Sequence, residues 1–247
     1  MSFNRDIQLD PNRVQTRSGG GRGAVIGGGS ILTVIAVVLI SQLTGVDLTS
    51  MLGAQQQTGT TTSTASSIDT SVCTSGDSAN KYTQCRMVAT AESLDAVWTE
   101  QLPAQAGLKY AKPEFVLWDG TQISSACGNA SSAVGPFYCS GDRTVYLDMS
   151  FFSEMERSLG ATDTPLAEEY IVAHEFGHHI QHLTGQMAKA DRSGSGATSD
   201  SVRLELQADC YAGIWVNHAS STPDPDTGKP FLNRPSSEEI KGALGAA

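Results

Sequence analysis

The sequence predicts an α+β domain that is preceded by a single transmembrane helix. A long apolar run without charges lies near the N-terminus, short strand candidates occupy the middle of the chain, and two long helical patterns follow them. Strand and helix patterns in one folded part predict a domain that contains both. The chain has 247 residues, of which 39% are hydrophobic, and this is enough to bury a core. A wholly disordered chain is therefore excluded.

The charge-free run covers residues 23–46, and residues 24–43 supply the ~20 helical residues that a bilayer core of ~30 Å requires. Four arginines precede this run, and Asp47 is the first charge after it. The positive-inside bias therefore predicts a basic cytoplasmic segment over residues 1–22, an anchor in the cell membrane and an extracytoplasmic remainder. A cleaved signal peptide is one alternative, although Leu52-Gly53-Ala54 is a poor cleavage site because its first residue is large. A buried core helix is the other.

Residues 47–72 are predicted to link the anchor to the folded domain. The tract 55–72 is rich in Thr, Ser and Gln and cannot bury enough apolar surface to order itself. It is typical of a flexible tether, which places the folded domain at residues 73–247. After residue 22 the chain has 12 basic and 24 acidic residues. This acidic balance argues against nucleic acid as a partner, because phosphate binding needs a basic surface.

Four of the five cysteines form two pairs that are each twelve residues apart. In an oxidising compartment these pairs predict the local disulfides Cys73–Cys85 and Cys127–Cys139. A structural zinc site is the alternative, although the C-x-x-C spacing is not present. Cys210 is either buried and inert or bonded to a cysteine beyond this sequence. The sequence stops at Ala247 inside a helix-like pattern, which predicts that the protein continues further.

The first half of the domain contains one helix and a few strands. Apolar residues at helical spacing predict an amphipathic helix over Ala89–Leu102, followed by Pro103. Glu114–Trp118 is a strand candidate. Pro136–Ser140 and Thr144–Asp148 flank a short Gly-Asp-Arg turn and predict a hairpin.

A second helix is predicted from Thr164 to Gly185. Thr164 is a good N-cap, proline is favoured at the first helical position, and glycine commonly ends a helix. The helix contains the H-E-x-x-H motif, with His174 and His178 four residues apart. Residues at this spacing share one helix face, so both imidazoles can bind one Zn²⁺ at ~2.0–2.1 Å. Glu175 projects beside the open coordination position, where it can take a proton from a water molecule.

A catalytic zinc needs a third protein ligand. His182 lies eight residues from His174, about 12 Å along the helix axis, so the three histidines cannot bind one ion. We therefore expect His182 either at the surface or in contact with a metal ligand, without binding the metal itself. We expect the His179 side chain to be exposed to solvent.

The third ligand is predicted on another helix, which follows the Gly/Ser-rich loop of residues 186–200. This helix carries Glu205 and Asp209, again four residues apart. Glu205 can supply the third ligand, and Asp209 can accept a hydrogen bond from a ligand histidine and fix its tautomer. The alternative interpretation is a pair of solvated acids on a helix surface.

Residues 124–151, 173–185 and 205–215 carry a resemblance to a known family. Their sequences, H-E-x-x-H followed by E-x-x-x-D among them, are similar to the glutamate-zincin metallopeptidases. More closely, they resemble the bacterial family named "putative neutral zinc metallopeptidase". The resemblance implies a zincin-like α+β fold with an active-site helix and a small antiparallel sheet. It also implies zinc on His174, His178 and Glu205, with Glu175 catalytic.

The resemblance further implies a strand that binds substrate. In such enzymes an edge strand above the active-site helix binds an extended peptide by strand addition. The candidate strand consists of Thr144, Val145, Tyr146, Leu147 and Asp148. A donor to the oxyanion is also expected, and the candidates are Tyr211, His218 and a residue beyond this sequence.

The sequence therefore predicts a membrane-anchored zinc metallopeptidase that hydrolyses a peptide or protein substrate. Its cofactor is Zn²⁺, and Glu175 is the general base. The alternative is a zincin-shaped binding or scaffold protein with little turnover. The intact Glu175 favours the enzyme, since a binding module needs no base at that position.

Overall fold

The computed structural model describes residues 2–19, 68–154, 164–191, 193–194 and 196–244. The predicted anchor over 23–46 lies outside these residues, as does most of the predicted linker over 47–72. The helices are α1 (Gly76–Lys81), α2 (Thr83–Ala106), α3 (Pro165–Leu183), α4 (Gln186–Lys189), α5 (Asp200–Ala219) and α6 (Ser237–Leu244). The strands are β1 (Gln15–Gly19), β2 (Glu114–Gly120), β3 (Gln122–Ser125), β4 (Gly128–Ser131), β5 (Phe137–Cys139) and β6 (Thr144–Asp148).

The main sheet has four strands in the order β1-β2-β6-β5. Strands β1, β2 and β6 are parallel, and only β5 is antiparallel to its neighbour. The predicted small antiparallel sheet is therefore wrong for this sheet. Strands β2 and β6 can run in the same direction because a long connection joins them, and a separate antiparallel ribbon of β3 and β4 lies within it.

The two faces of the main sheet are buried against different elements. Alternate residues of the central strands, Phe115 and Leu117 on β2 and Val145 and Leu147 on β6, join the core formed with helices α2, α3 and α5. The intervening residues of these strands pack with the β3–β4 ribbon. Because side chains alternate along a strand, burial on both faces makes each central strand apolar throughout.

Strand β6 forms at the predicted residues, Thr144–Asp148, but it is not an edge strand. It lies between β2 and β5, and all five of its residues are buried. Its backbone groups pair within the sheet, so they cannot bind a peptide by strand addition. The prediction of β6 as the substrate strand is wrong. The strand at the edge of the sheet next to α3 is β5.

The predicted helix over Ala89–Leu102 is the central part of α2, which is longer at both ends. The helix continues through Pro103 and ends at Gly107, where φ is 67°. Its buried side includes Trp98 and Leu102. A glycine adopts this left-handed conformation without the strain that a Cβ causes, so Gly107 rather than the proline ends the helix.

The N-terminal residues are part of the folded domain. Phe3, Ile7, Leu9 and Val14 are buried in the main core, and Gln15–Gly19 pairs with β2 as an edge strand. A chain that crossed a bilayer once between residues 19 and 68 would leave these two parts on opposite sides.

The prediction of a transmembrane helix is wrong. The predicted single-pass location in the cell membrane is wrong with it. The packing of residues 2–19 on the domain contradicts the predicted topology. In addition, none of the helices in the described part of the chain has the length and apolar character needed to span a membrane.

Both predicted disulfides are present. Cys73–Cys85 joins the segment before α1 to α2, and Cys127–Cys139 joins the β3–β4 ribbon to β5. Closing a loop of this size restricts the unfolded chain and is expected to stabilise the fold by about 3 kcal/mol per bond. Cys210 is unpaired and exposed, so the expectation of a buried, inert Cys210 is wrong.

Candidate metal centre

Helix α3 begins and ends as its sequence predicts. The Thr164 side chain accepts a hydrogen bond from the Ala167 N–H, Pro165 is the first helical residue, and the chain leaves the helix at Gly185 with φ of 74°. Helix α5 begins in the same manner, since the Ser199 side chain accepts from the Val202 N–H. These caps fix the phase of two helices whose facing sides form the candidate site.

Close packing of α3 on α5 depends on Gly177, which lies inside the H-E-x-x-H motif. A Cβ at Gly177 would approach the Ala208 carbonyl oxygen to 2.9 Å and its Cα to 3.0 Å. Ala208 stands between Glu205 and Asp209 on α5. The missing side chain therefore lets α5 bring both acids to the histidines of α3.

Three ligand atoms converge between the two helices. In the part of the chain that the structure describes, one group of three His, Cys, Asp or Glu residues is able to hold a metal ion, with its ligand atoms within 4.8 Å of one another: His174, His178 and Glu205. One carboxylate oxygen of Glu205 lies 3.2 Å from His174 Nε2 and 3.4 Å from His178 Nε2.

These separations fit a zinc ion. Two ligand atoms at ~2.0–2.1 Å from a tetrahedral ion are about 3.3 Å apart. The two measured carboxylate–imidazole distances lie on either side of this value. Two imidazole nitrogens and one carboxylate are also a donor set that catalytic zinc sites use, with a fourth position left for water or substrate.

Both histidines have a partner for the ring nitrogen that faces away from the site. His174 Nδ1 donates to Asp209 Oδ1 at 2.8 Å, and His178 Nδ1 donates to Gln181 Oε1 at 2.9 Å. Because Nδ1 carries the proton in each ring, Nε2 keeps its lone pair for a metal. The structure thus brings Asp209 to the position that the sequence predicts for it.

Gln181 is a residue that the sequence analysis does not identify. Its side chain is fully buried, and its Nε2–H donates to the Leu204 carbonyl of α5 at 2.6 Å. This bond orients the amide so that its oxygen accepts from His178. The available signal is the spacing of three residues after His178, which places a glutamine amide beside the imidazole.

Glu175 is buried, with 8% of its surface exposed, and the backbone of Tyr138 on β5 approaches its carboxylate. Burial raises the pKa of Glu175, and the neighbouring His178 and His174 oppose this shift. A carboxylate that is less acidic than usual is well suited to accept a proton and return it near neutral pH.

The pKa values of the three candidate ligands reflect their mutual contacts. Burial alone lowers the pKa of His174, but its hydrogen bonds to Asp209 and Glu205 raise it to about 10. Burial also lowers the pKa of His178, but its hydrogen bond to Glu205 outweighs this effect and the pKa is raised. Burial raises the pKa of Glu205, but the hydrogen bonds from the two histidines hold it well below its usual range. A divalent cation at this point competes with protons on the imidazoles.

The structure places the remaining predicted residues elsewhere. His179 is fully buried, so its predicted exposure to solvent is wrong, and burial lowers its pKa to about 4. His182 hydrogen-bonds to Tyr138. Tyr211 packs edge-on against Trp98, and His218 lies thirteen residues from Glu205 on α5, about 20 Å along the axis. These positions give no support to an oxyanion role for Tyr211 or His218.

Comparisons with known proteins identify the family to which the chain belongs. Residues 6–228 match the model of a family described as "Putative neutral zinc metallopeptidase". An uncharacterised protein of Mycobacterium tuberculosis H37Rv is 45% identical over 207 residues, which is 84% of this chain and 68% of that protein.

The uncharacterised protein YpfJ of Escherichia coli K12 is 38% identical over 196 residues, which is 76% of this chain and 62% of YpfJ. The chain thus spans about two thirds of the length of these relatives. No solved structure shows significant similarity to the chain. The match over residues 6–228 includes both helices of the site and confirms the resemblance drawn from the motifs. The chain belongs to the "Putative neutral zinc metallopeptidase" family.

Proposed function

We propose that this protein is a zinc-dependent peptidase in which His174, His178 and Glu205 hold the metal and Glu175 is the general base. The observation that carries this proposal is the spacing of the Glu205 oxygen, 3.2 Å and 3.4 Å from the two imidazole nitrogens. Zinc bound by these three atoms supplies a Lewis acid that polarises a peptide carbonyl and acidifies a water molecule.

The residues around the ligands support the same function. Asp209 and Gln181 hold the two imidazoles in the tautomer that leaves Nε2 free. Tyr170 adds a weak contact, with its hydroxyl 3.4 Å from Asp209 Oδ1. A ligand set that is already oriented loses little freedom when it binds the metal, so such supporting contacts favour a functional site over an accidental cluster.

Glu175 accepts the proton of the attacking water and passes a proton to the leaving amine. Its position next to His174 places the carboxylate beside the ligand pair, and burial keeps its pKa above the usual value. Because burial excludes water from this carboxylate, its electrostatic interaction with the reacting groups is stronger.

The substrate strand in this proposal is β5 rather than β6. Within the described residues β5 pairs with β6 along one side only, and the Tyr138 side chain packs against α3. An extended peptide that joins the unpaired side by strand addition lies near Glu175, because the backbone of Tyr138 approaches that carboxylate. Backbone pairing of this kind binds peptides of many sequences, which fits a peptidase.

A binding or scaffold protein of the same shape is the competing function. It has no use for a buried carboxyl beside the ligands. Burying such a group without a metal or a proton costs several kcal/mol. The burial of Glu175 therefore favours the enzyme.

Cleavage of a peptide library by the full chain loaded with zinc tests the proposal. Glu175→Gln is expected to retain zinc and to lose cleavage by a factor of about 10²–10⁴, because it removes the base but keeps the side-chain shape. Glu100→Gln, which changes an exposed acid on α2, is the matched control and is expected to cleave at the wild-type rate. Equal cleavage by Glu175→Gln and wild type contradicts the role of Glu175, and no cleavage by the zinc-loaded wild type favours the binding protein.

A further inference from the structure

The hydroxyl group of Tyr138 lies between two histidines that the metal centre does not use. It is 2.9 Å from His179 Nδ1 and 2.7 Å from His182 Nδ1. The Tyr138 ring also packs edge-on against both imidazoles, with centroid distances of 5.4 Å and 6.1 Å. Tyr138 is 7% exposed and His179 is fully buried. A side chain of β5 is thus inserted between two side chains of the active-site helix.

The direction of these hydrogen bonds follows from the contact that His179 makes with its other ring nitrogen. His179 Nε2 lies 2.6 Å from the Ala111 carbonyl, which can only accept, so Nε2 carries a proton. With the proton on Nε2, the Nδ1 atom of this buried imidazole is the acceptor, and the Tyr138 hydroxyl donates to it. The oxygen of Tyr138 then accepts from His182 Nδ1–H. The connected series therefore runs from His182 through Tyr138 and His179 to the Ala111 carbonyl.

The backbone of the same tyrosine also lies close to α3. It approaches the Glu175 carboxylate, and Glu175, His179 and His182 are spaced by four and three residues along α3. Residues at this spacing lie on one side of a helix. Tyr138 therefore faces one side of α3 along its whole length, with its backbone near Glu175 and its phenol hydrogen-bonded to the two histidines.

We propose that Tyr138 is a positioning residue whose hydroxyl, held by His179 and His182, fixes β5 against α3 and so keeps the backbone of β5 beside Glu175. The catalytic consequence of this inference rests on the proposed peptidase function, but the structural consequence does not. A fixed β5 keeps both the base and the free strand edge in register with the ligands.

Tyr138→Phe tests the role of the hydroxyl, because it removes the two hydrogen bonds and keeps the ring that packs between the imidazoles. The control is Tyr146→Phe, which removes a phenolic hydroxyl from β6 that bonds to Asp142. The first readout is hydrogen exchange of the Tyr138 amide, measured by NMR. The second is the separate effect on kcat and KM.

We expect the Tyr138 amide to exchange at least about tenfold faster in Tyr138→Phe, with kcat reduced by about 10- to 100-fold and KM nearly unchanged. Tyr146→Phe is expected to leave all three quantities at wild-type values. An unchanged amide exchange rate in Tyr138→Phe overturns the inference. If the wild type cleaves no peptide, the proposed function fails, while amide exchange still decides the positioning role.

Two variants of His182 separate positioning from general packing. His182→Asn retains an N–H donor near the position of Nδ1, whereas His182→Ala does not. Wild-type amide protection in the asparagine variant, together with loss of protection in the alanine variant, supports the inference. Equal protection in both variants overturns it. Should a variant fail to fold, the ¹⁵N shifts of wild-type His179 decide, since a proton found on Nδ1 rather than Nε2 contradicts the series.

Discussion

The candidate metal centre is oriented by hydrogen bonds from residues that are not themselves proposed ligands. The ligand pattern could be predicted from the sequence because both H-E-x-x-H and E-x-x-x-D express the same local rule, that residues four apart share a helix face. Gln181 could not be predicted in this way. Its role depends on the Leu204 carbonyl of another helix, and contacts between elements are not encoded by spacing along one element.

Gln181→Leu is expected to weaken zinc binding by about 10- to 100-fold, because it removes the acceptor that holds His178 Nδ1–H while keeping the volume of the side chain. The measurement is zinc affinity by competition with a chelator. Gln105→Leu, which alters an exposed glutamine of α2, is the control. Wild-type affinity in Gln181→Leu shows that the amide does not orient the ligand.

The pH dependence of zinc binding follows from the raised pKa of His174. This pKa is about 10 against an ordinary value of 6.5, so His174 carries a proton at neutral pH until zinc displaces it. Zinc affinity is expected to rise about tenfold for each pH unit between 6.5 and 10 for each proton released. In the zinc-free protein, the contribution of His174 to the free energy of unfolding falls as the pH rises, whereas zinc affinity rises with pH. The stability contributed by His174 is complete below pH 6.5 and is lost as the pH rises through 10. An affinity that is flat over this range contradicts the protonated state.

At the scale of secondary-structure elements, the site depends on the close approach of α3 and α5. The sequence predicts both helices with their caps, because the capping residues and periodicity are local. It does not predict the order of the strands, since the position of β6 between β2 and β5 depends on pairing between distant segments. The turn between β5 and β6 predicts their hairpin, whereas no local pattern predicts that β2 pairs with the other side of β6.

Gly177→Ala tests the close approach of the two helices. The added Cβ meets Ala208 backbone atoms at 2.9 Å and 3.0 Å, and backbone cannot rotate away, so we expect α5 to shift and the free energy of unfolding to fall by about 1–3 kcal/mol. Zinc affinity is expected to fall with it.

The matched control is Gly213→Ala on α5, where an added Cβ has no neighbour within 4 Å. This change is expected to leave zinc binding intact and to raise stability by about 0.4–1 kcal/mol. The measurements are urea denaturation and zinc titration. Equal behaviour of the two variants contradicts the packing argument.

At the scale of the whole molecule, the N-terminal segment and the site belong to one body. Arg13 forms a buried ion pair with Asp95 of α2, at 2.6 Å, and its guanidinium lies 5.8 Å from the ring centroid of Phe176, inside the H-E-x-x-H motif. The arginines of this segment predict a membrane topology because arginine-rich flanks are typical of membrane anchors. Their positions in the sequence do not reveal that Arg13 has a buried carboxylate partner 82 residues away.

Arg13→Met is expected to reduce the free energy of unfolding by about 1.5–3 kcal/mol, because it removes two charge-assisted hydrogen bonds from buried Asp95. The Lys112 ammonium, 3.2 Å from the same carboxylate, still balances part of its charge. Arg5→Met is the control, since Arg5 is 81% exposed and its ion pair with Asp77 is expected to contribute less than about 1 kcal/mol. Urea denaturation of the full chain measures both. If Arg13→Met lowers the free energy of unfolding no more than Arg5→Met does, the N-terminal segment is not required for the stability of the domain.

The central claim is that α3 and α5 jointly bind one zinc ion through two imidazoles and one carboxylate. X-ray absorption at the zinc edge, combined with metal analysis of the full chain, tests it most directly. We predict one zinc per chain, with two imidazole nitrogens and carboxylate oxygen at ~2.0–2.2 Å, and loss of the ion in Glu205→Ala. A correctly folded chain that binds no zinc, or a Glu205→Ala variant that binds it as tightly as wild type, contradicts the claim.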